Sequence, residues 1–355
     1  MAITNRINKL REKLIENEID GILISQQDNR YYLSGFHGSD GYLLITPDKL
    51  ILAVDFRYIE EGKKESPEFE IFKIAGPLSW FTELTTGLNI KKLGFESGDI
   101  TYSFYRQLTD ILQKSGSGLQ LIQTTGIVEA LRIVKEPGEI ALIQKAVTIS
   151  DEAVEYIREL IKPGTTELQA AWEIEKFMRE HGSESVPFEL IIGAGQNAAL
   201  PHAHPSQHAM QDHEPVVIDI GARFSGYTSD ITRTICVGYE DDNFRRIYDI
   251  VLGAQLTAIA IIKEGMTGEE ADNIARIVIR ETGYGDAFGH SLGHGVGIAT
   301  HESPRLGMRS TDVLKNGMVF TIEPGIYLPD WGGVRIEDTV VMENGKVKSL
   351  SRAKK

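Results

Sequence analysis

Two copies of one short motif decide the fold of this chain: IKPGTT at Ile161–Thr166 and IKEGMT at Ile262–Thr267. The copies match at Ile, Lys, Gly and Thr, and the same offset of 101 positions aligns Gly182 with Gly283. Each copy follows a long helical pattern and begins a second helix, after which strands follow. This self-similarity predicts a duplicated α+β half, with the two copies packed about a pseudo-twofold axis and a site between them.

The part of the chain before the duplication has the pattern of an α/β domain. Three apolar runs have the length of buried strands, and a strand-helix-strand pattern covers about Glu70 to Gln123. The three runs are Gly21–Ile24, Tyr42–Ile45 and Leu50–Val54. A long amphipathic helix is predicted from Pro137 to Ile161, and the change of pattern near residue 130 predicts two domains, 1–130 and 131–355.

Composition limits the class of protein. With 355 residues, 41% of them hydrophobic and 25% charged, the chain has the composition of a globular protein long enough for two domains. The single cysteine, Cys236, excludes an internal disulfide, and the charged pattern of Met1–Leu14 differs from an apolar signal segment; both predict a cytoplasmic location. No apolar run approaches the roughly 18 residues of a membrane span, and a formal charge of -14 disfavours nucleic acid as a partner.

Five candidate metal ligands stand in the second half of the sequence. They are Asp219, Asp230, His294, Glu323 and Glu337. Four carboxylates and one imidazole form a hard, oxygen-rich set that suits Mn²⁺, Co²⁺ or Zn²⁺, unlike the Cys/His set of a structural zinc site. Four carboxylates in a folded core repel one another, so they stay protonated or are neutralised by roughly two divalent cations.

The sequence around these residues predicts that apolar strands carry them. Asp219 lies in the strand pattern Val216–Gly221, and Asp230 begins a second strand pattern, so the two aspartates are expected on neighbouring strands of a hairpin. Glu323 and Glu337 each interrupt an apolar run in the same way. An acidic residue in an apolar strand requires a partner, and a metal ion is such a partner.

Two further groups accompany this set. The two-residue period of a strand predicts that Arg335 lies on the face of Glu337, where it could hold a ligand carboxylate or a substrate carboxylate. His290 and His294 are four residues apart in a glycine-rich stretch, Gly289–Gly295, which favours a turn and a close approach of the backbone.

Together with His202, His290 and His301, the five candidate ligands resemble the active site of the aminopeptidase P and prolidase family. The resemblance covers nearly the whole chain. In the first part it rests on three stretches, Ser34–Phe36, Asp40–Tyr42 and Asp55–Tyr58, which are similar to the creatinase-type N-terminal domain. The duplicated half resembles the "pita-bread" metallopeptidase domain of that family. One departure is GAGQN at Gly193–Asn197, where the family pattern is closer to GSGPN.

This resemblance implies a metal-dependent exopeptidase that hydrolyses the Xaa-Pro bond at the N-terminus of di- or oligopeptides, through a hydroxide bridging two divalent metals. The expected ions are Mn or Co, with Zn or Fe as alternatives, and the expected assembly is a homodimer. Glu323 would act as ligand and general base. His290 and His301 would bind the scissile carbonyl or the developing oxyanion, and His202 would contact substrate or belong to a solvated, histidine-rich loop. Phe188 and Tyr227 are candidates for a proline-ring pocket or ordinary core aromatics.

Other functions stay open at this point. One alternative is an aminopeptidase of other specificity, such as the methionine type, with the same metal site. Another is a non-catalytic peptide- or protein-binding module on the same fold, and a metal-free amidinohydrolase of the creatinase kind is a third. The last two are disfavoured because all five candidate ligands are present. The sequence leaves open the native metal and the choice between dipeptides and longer peptides.

Overall fold

A computed structural model describes residues 2–355, which form two compact units. The first unit ends at Arg132 and the second is Ile133–Lys355. The sequence predicts a boundary between residues 130 and 131. Within the described chain, no helix is both long and apolar enough to cross a membrane.

The first unit is built on one six-stranded mixed sheet with the strand order β4-β3-β2-β1-β5-β6. Its strands are β1 (Gly21–Ile24), β2 (Tyr42–Ile45), β3 (Leu50–Val54), β4 (Glu70–Lys73), β5 (Lys92–Glu96) and β6 (Gln120–Thr124). Its helices are α1 (Ala2–Glu16), α2 (Gln27–Ser34), α3 (Ile59–Glu65), α4 (Ser79–Thr85), α5 (Tyr102–Lys114) and α6 (Glu129–Arg132). The predicted α/β class and the bounds of the first three strands are confirmed. These short apolar runs form strands whose residues are mostly buried in the sheet.

The second unit contains the duplicated half. Its helices are α7 (Pro137–Leu160), α8 (Glu167–Glu180), α9 (Asp242–Ile261) and α10 (Gly268–Glu281). Its strands are β7 (Ile191–Ala194), β8 (Pro215–Ile220), β9 (Arg223–Phe224), β10 (Tyr227–Thr228), β11 (Ile231–Cys236), β12 (Gly293–Gly295), β13 (Glu302–Leu306), β14 (Val319–Ile322), β15 (Gly325–Leu328), β16 (Gly332–Arg335), β17 (Asp338–Glu343) and β18 (Lys346–Ser349). The larger sheets have the orders β11-β8-β7 and β13-β12-β14-β17-β18.

The repeated motif forms the same local structure in both copies. Helices α8 and α10 each have 14 residues, and each is preceded by a threonine, Thr166 or Thr267, whose hydroxyl accepts a hydrogen bond at 3.2 Å from the backbone N–H three residues later. Gly164 and Gly265 adopt φ values of +92° and +89°, which favour glycine. The predicted duplication of a helix, a glycine turn and a second helix is therefore confirmed. The residues shared by the two motif copies include the threonine that caps the second helix and the glycine of the turn.

Candidate metal centre

The five predicted ligands come together from strands of the second unit, either within a strand or directly beside one of its ends. Asp219 lies in β8, and Asp230 immediately precedes β11, which pairs with β8 in antiparallel fashion. His294 is the middle residue of β12, Glu323 follows β14, and Glu337 precedes β17. All five line one cavity of about 520 Å³. The two larger sheets therefore both contribute side chains to one site.

Three of these side chains form a compact cluster. One ligand atom from each of Asp230, His294 and Glu337 lies within 4.8 Å of the others. The Nε2 atom of His294 is 3.6 Å from Asp230 Oδ2 and 3.4 Å from Glu323 Oε1. Oxygen and imidazole donors at these separations can surround a divalent cation.

Burial and mutual repulsion oppose ionisation of the carboxylates. Burial, reinforced by the charges of Glu337 and Asp219, raises the pKa of the Asp230 carboxyl well above its ordinary value. Burial and the charges of Glu323 and Asp219 raise the pKa of Glu337 in the same way. Burial also raises the pKa of Glu323 to about 7, although the nearby Arg335 opposes this. The cluster by itself therefore retains protons that a bound cation would displace.

The tautomer of His294 suits metal binding. Its Nδ1 atom lies 3.1 Å from the carbonyl oxygen of Gly295, which can only accept a hydrogen bond, so Nδ1 carries the proton. Nε2 is then the nitrogen with the lone pair, and it faces Asp230 and Glu323. Burial lowers the pKa of the ring, which favours the neutral form that binds metal.

Two threonine hydroxyls hold two of the glutamates. Thr232 Oγ1 donates to Glu337 Oε2 at 2.6 Å, and Thr321 Oγ1 donates to Glu323 Oε1 at 2.9 Å. The sequence analysis missed both threonines. A signal was present, because Thr232 is two residues after Asp230 and Thr321 is two residues before Glu323, and residues two apart in a strand share a face.

Arg335 is 3% exposed and is committed to protein acceptors. Its Nη2 donates to Asp219 Oδ2 at 2.6 Å, and its Nε donates to Thr232 Oγ1 at 3.1 Å. Its Nη1 donates to the Tyr327 hydroxyl at 2.8 Å and to the Pro201 carbonyl at 3.3 Å. Of the two roles that the sequence left open, this geometry favours the one in which Arg335 holds a ligand carboxylate.

The hydroxyl of Tyr327 links Arg335 to His290. Since this hydroxyl accepts from Arg335, its own proton is directed to His290 Nε2, at 2.9 Å. The other ring nitrogen of His290 lies 2.9 Å from the Ser291 carbonyl oxygen. Burial lowers the pKa of His290 to about 4, so the ring is neutral near neutral pH and both nitrogens have protein partners. Tyr327 was missed in the sequence, where nothing distinguishes it from a core tyrosine.

His301 and His202 line the same cavity but are exposed. The His301 ring packs against the His294 ring with centroids 4.1 Å apart. The partial burial of the His301 ring lowers its pKa to about 4. His202 lies in a turn after β7. Phe188 also lines the cavity, whereas Tyr227 does not, because it is buried and its hydroxyl donates to Glu139 Oε1 at 2.8 Å. Tyr227 is therefore a core aromatic, and the pocket interpretation of it is wrong.

Arg305 is a cavity-lining cation that the sequence analysis did not single out. It pairs with His294 across β12 and β13, which brings it beside the ligand cluster. Its side chain is exposed, and Nε lies 3.4 Å from Ser291 Oγ. Within residues 2–355, its guanidinium forms no ion pair with an acidic side chain. It is therefore available to an anionic group of a ligand.

The donor set fits a divalent metal centre. Asp219 Oδ1 is buried and has no hydrogen-bond partner among the described residues, although Oδ2 is paired with Arg335. A buried carboxylate oxygen without a donor is costly unless a cation binds it. With the lone pair of His294 and the oxygens of Asp230 and Glu337 nearby, the site suits a hard divalent cation.

Comparisons with known proteins bear on this site. The sequence profile of metallopeptidase family M24 matches residues 141–344, which is more than half of the chain. The profile of the creatinase/prolidase N-terminal domain matches residues 6–134. Both expected domain types are thus found, in the expected order.

Three similar proteins match along nearly their whole length. An Xaa-Pro dipeptidase of Pyrococcus horikoshii is 40% identical, and the match covers 100% of this chain and 99% of the relative. A solved structure of an Xaa-Pro dipeptidase from Bacillus anthracis has a TM-score of 0.95 and 41% identity, covering 99% of this chain and 98% of that one. An X-Pro aminopeptidase structure from Thermotoga maritima has a TM-score of 0.90 and 35% identity, covering 98% and 97%.

Proposed function

The chain belongs to metallopeptidase family M24, and we propose that it removes the first residue from peptides whose second residue is proline. Four carboxylates and one imidazole converge on a cavity of about 520 Å³, and this arrangement supports a metal-dependent hydrolase. Relatives named Xaa-Pro dipeptidase, similar along nearly the whole chain, support the same bond as the target.

We propose two divalent cations per chain, with Mn²⁺ or Co²⁺ expected and Zn²⁺ or Fe²⁺ as alternatives. The proposed ligands are Asp219, Asp230, His294, Glu323 and Glu337. Two divalent cations would balance four carboxylates, whose mutual repulsion is visible in the raised pKa values of Asp230 and Glu337. When bound, such ions supply Lewis acidity and lower the pKa of water.

Glu323 is the proposed general base. Glu323 lines the cavity among the other proposed ligands, where a carboxylate can take up and return a proton during hydrolysis. Thr321 donates to its Oε1 at 2.9 Å and so restrains the carboxylate beside His294.

The proposed roles of the histidines differ because their partners differ. His301 is exposed beside His294, and its ring nitrogens make no hydrogen bond within the described chain, so it is the candidate for contact with the scissile carbonyl. His290 is held by Tyr327 and the Ser291 carbonyl, which makes a positioning role through Tyr327 the better-supported one. His202 is proposed to contact substrate from its turn.

We propose dipeptides as the preferred substrates because of Arg305. This guanidinium lines the cavity beside His294 and has no acidic protein partner in the described structure. The free carboxylate of an Xaa-Pro dipeptide is one residue from the scissile bond, so it can bind there. In a longer peptide that carboxylate is absent and further chain must pass the same side chain.

The test is hydrolysis of Leu-Pro, Leu-Pro-amide and Leu-Pro-Gly by protein stripped of metal and then supplied with Mn²⁺ or Co²⁺. We expect metal-dependent release of leucine and the highest kcat/KM for Leu-Pro. The Arg305→Gln variant should lower kcat/KM for Leu-Pro more than for Leu-Pro-amide, which lacks the carboxylate.

Other outcomes would contradict the proposal in distinct ways. Cleavage of Met-Ala-Ser but of no proline peptide would favour the methionine-type alternative. Bound metal without cleavage of any peptide would favour a binding module. A homodimer and a cytoplasmic location stay predictions that size determination and cell fractionation would test.

A further inference from the structure

One acidic side chain of the cavity lining has no place in the proposed metal centre. Apart from the four proposed carboxylate ligands, Glu189 is the carboxylate that lines the cavity in the described structure. Its side chain is 67% exposed, whereas that of Asp219 is 13% exposed. Glu189 therefore stands at the open mouth of the cavity and the ligands stand at its floor.

Strand pairing fixes which part of the site Glu189 serves. Ile191, two residues after Glu189, pairs with Asp219 across β7 and β8 and lines the cavity. Two residues span at most about 7 Å, so Glu189 lies near the Asp219 side of the ligand cluster. Arg305 instead pairs with His294, on a strand of the other large sheet. The cavity thus has an acidic wall segment and a basic one, each beside a different ligand.

A dipeptide has matching polarity. If its carboxylate binds Arg305, its first residue faces the wall that contains Phe188, Glu189 and Ile191. The α-ammonium of that residue is separated from the scissile carbonyl by one carbon atom, so it must stay near the buried ligands. A side-chain cation stands at the end of a long stem and can reach the exposed carboxylate.

We propose that Glu189 is a specificity-determining residue that favours a basic first residue, lysine or arginine, by binding its side-chain cation. The inference rests on the proposed function. Phe188 and Ile191 supply apolar surface for the methylene stem, and Glu189 supplies the charge. In the described structure Glu189 Oε2 is 2.9 Å from Nδ1 of His204, which is 77% exposed and lines the cavity too. His204 therefore competes with the substrate cation for the carboxylate.

The experiment compares Lys-Pro with norleucine-Pro, which has a stem of similar length and no charge. The measured quantity is the ratio of kcat/KM for Lys-Pro to kcat/KM for norleucine-Pro, with the metal-loaded protein. An exposed ion pair is weak, so the Glu189→Gln variant should lower this ratio roughly two- to fivefold. Glu189→Lys should lower it further, and His204→Ala should raise it because the competitor is removed.

Glu180→Gln is the matched control, because Glu180 is an exposed carboxylate at the end of α8 that does not line the cavity. It should leave the ratio as in the parent protein. An unchanged ratio in Glu189→Gln would overturn the inference, whether both rates stay the same or both fall equally. Failure of the proposed function is a different result, since the parent protein would then cleave neither dipeptide.

Discussion

Glu167 and Glu337 are both buried glutamates of the second unit, yet their surroundings are opposite. Glu167 is 0% exposed and receives four hydrogen bonds, from the backbone N–H groups of Ala194 and Ser206, the Ser206 hydroxyl and the Asn197 amide, at 2.6–2.9 Å. Each of the two carboxylate oxygens of Glu167 therefore accepts two hydrogen bonds. The carboxylate closes the loop that carries His202.

Glu337 is 1% exposed and receives one side-chain hydrogen bond, from Thr232. Burial raises the pKa of Glu337, and the neighbouring carboxylates of Glu323 and Asp219 raise it further. The comparison shows that burial alone does not identify a functional carboxylate. A shortage of donors combined with like charges does, because only a cation or protons can stabilise that arrangement.

The largest expected effect comes from removing Glu337. The Glu337→Ala variant should lose activity by roughly three orders of magnitude or more, since metal-assisted stabilisation is worth several kcal/mol. The free energy of unfolding of the metal-free variant should not fall by more than about 1 kcal/mol, because repulsion from Glu323 and Asp219 is relieved. Assays, metal analysis and chemical denaturation check both parts. A fully active variant would show that Glu337 is not a metal ligand.

The next effect is a pH dependence confined to the metal-free protein. Burial raises the pKa of Glu323 to about 7 from an ordinary 4.5, so the folded state binds more protons than the unfolded state. The free energy of unfolding is therefore highest below about pH 4.5 and should fall by roughly 3 kcal/mol as pH rises through about 7.

Denaturation with chelator at pH 5 and pH 8 measures this change. The Glu323→Gln variant, which cannot titrate at this position, should have a flatter profile, and metal should restore stability at pH 8. A metal-free protein that becomes more stable as pH rises would contradict the account of the cluster.

The satisfied carboxylate gives the converse prediction. Glu167→Ala leaves buried donors without an acceptor and should lower the free energy of unfolding by about 2–3 kcal/mol, with metal or without. Because the loop that carries His202 is released, KM should rise as well. Glu180→Ala, at an exposed position on the same helix, should change stability by less than about 0.5 kcal/mol. Equal effects of the two variants would erase the contrast with Glu337.

The smallest effect is expected at the hydroxyl that touches the cluster. Thr232 donates to Glu337 and accepts from Arg335, so it orients two groups of the site at once. Thr232→Val keeps the shape and removes both bonds, which should reduce kcat/KM about tenfold and stability by about 1 kcal/mol. Loss of metal affinity in titration would accompany the reduced rate. No change in either quantity would limit Thr232 to packing.

Much of this architecture could be predicted from short stretches of sequence. Strands such as Tyr42–Ile45 are confirmed, since a four-residue apolar run bounded by turn residues is too short for a buried helix and has the length of a strand. The helix from Pro137 is confirmed to within one residue at its end, since proline at the first position and a helical period mark it. The four acidic ligands were found because each puts a carboxylate into an apolar pattern, and His294 because it lies in a glycine-rich stretch. That the five bind metal stays a prediction.

Other parts of the site had no adequate local signal. Tyr327 looks like any strand tyrosine, and its role depends on Arg335 and His290, which lie at different places in the chain. In the sequence, Arg305 cannot be distinguished from an ordinary surface arginine. Only the pairing of two strands shows that it lies beside His294. The choice between pocket and core for Tyr227 had no local signal either, because its partner Glu139 lies on a helix far away in sequence.

Local sequence patterns therefore sufficed to predict several strands, the helix from Pro137, the duplication and the chemical set of candidate ligands, because periodicity and residue type act over a few residues. Tertiary structure decided how these groups are used. It directs Arg335 to Asp219, commits both nitrogens of His290, leaves Asp219 Oδ1 without a donor and places Glu189 at the cavity mouth. Arg335 and Asp219, or His290 and Tyr327, lie far apart in sequence, and their pairing is selected by the packing of whole sheets, which no short pattern encodes.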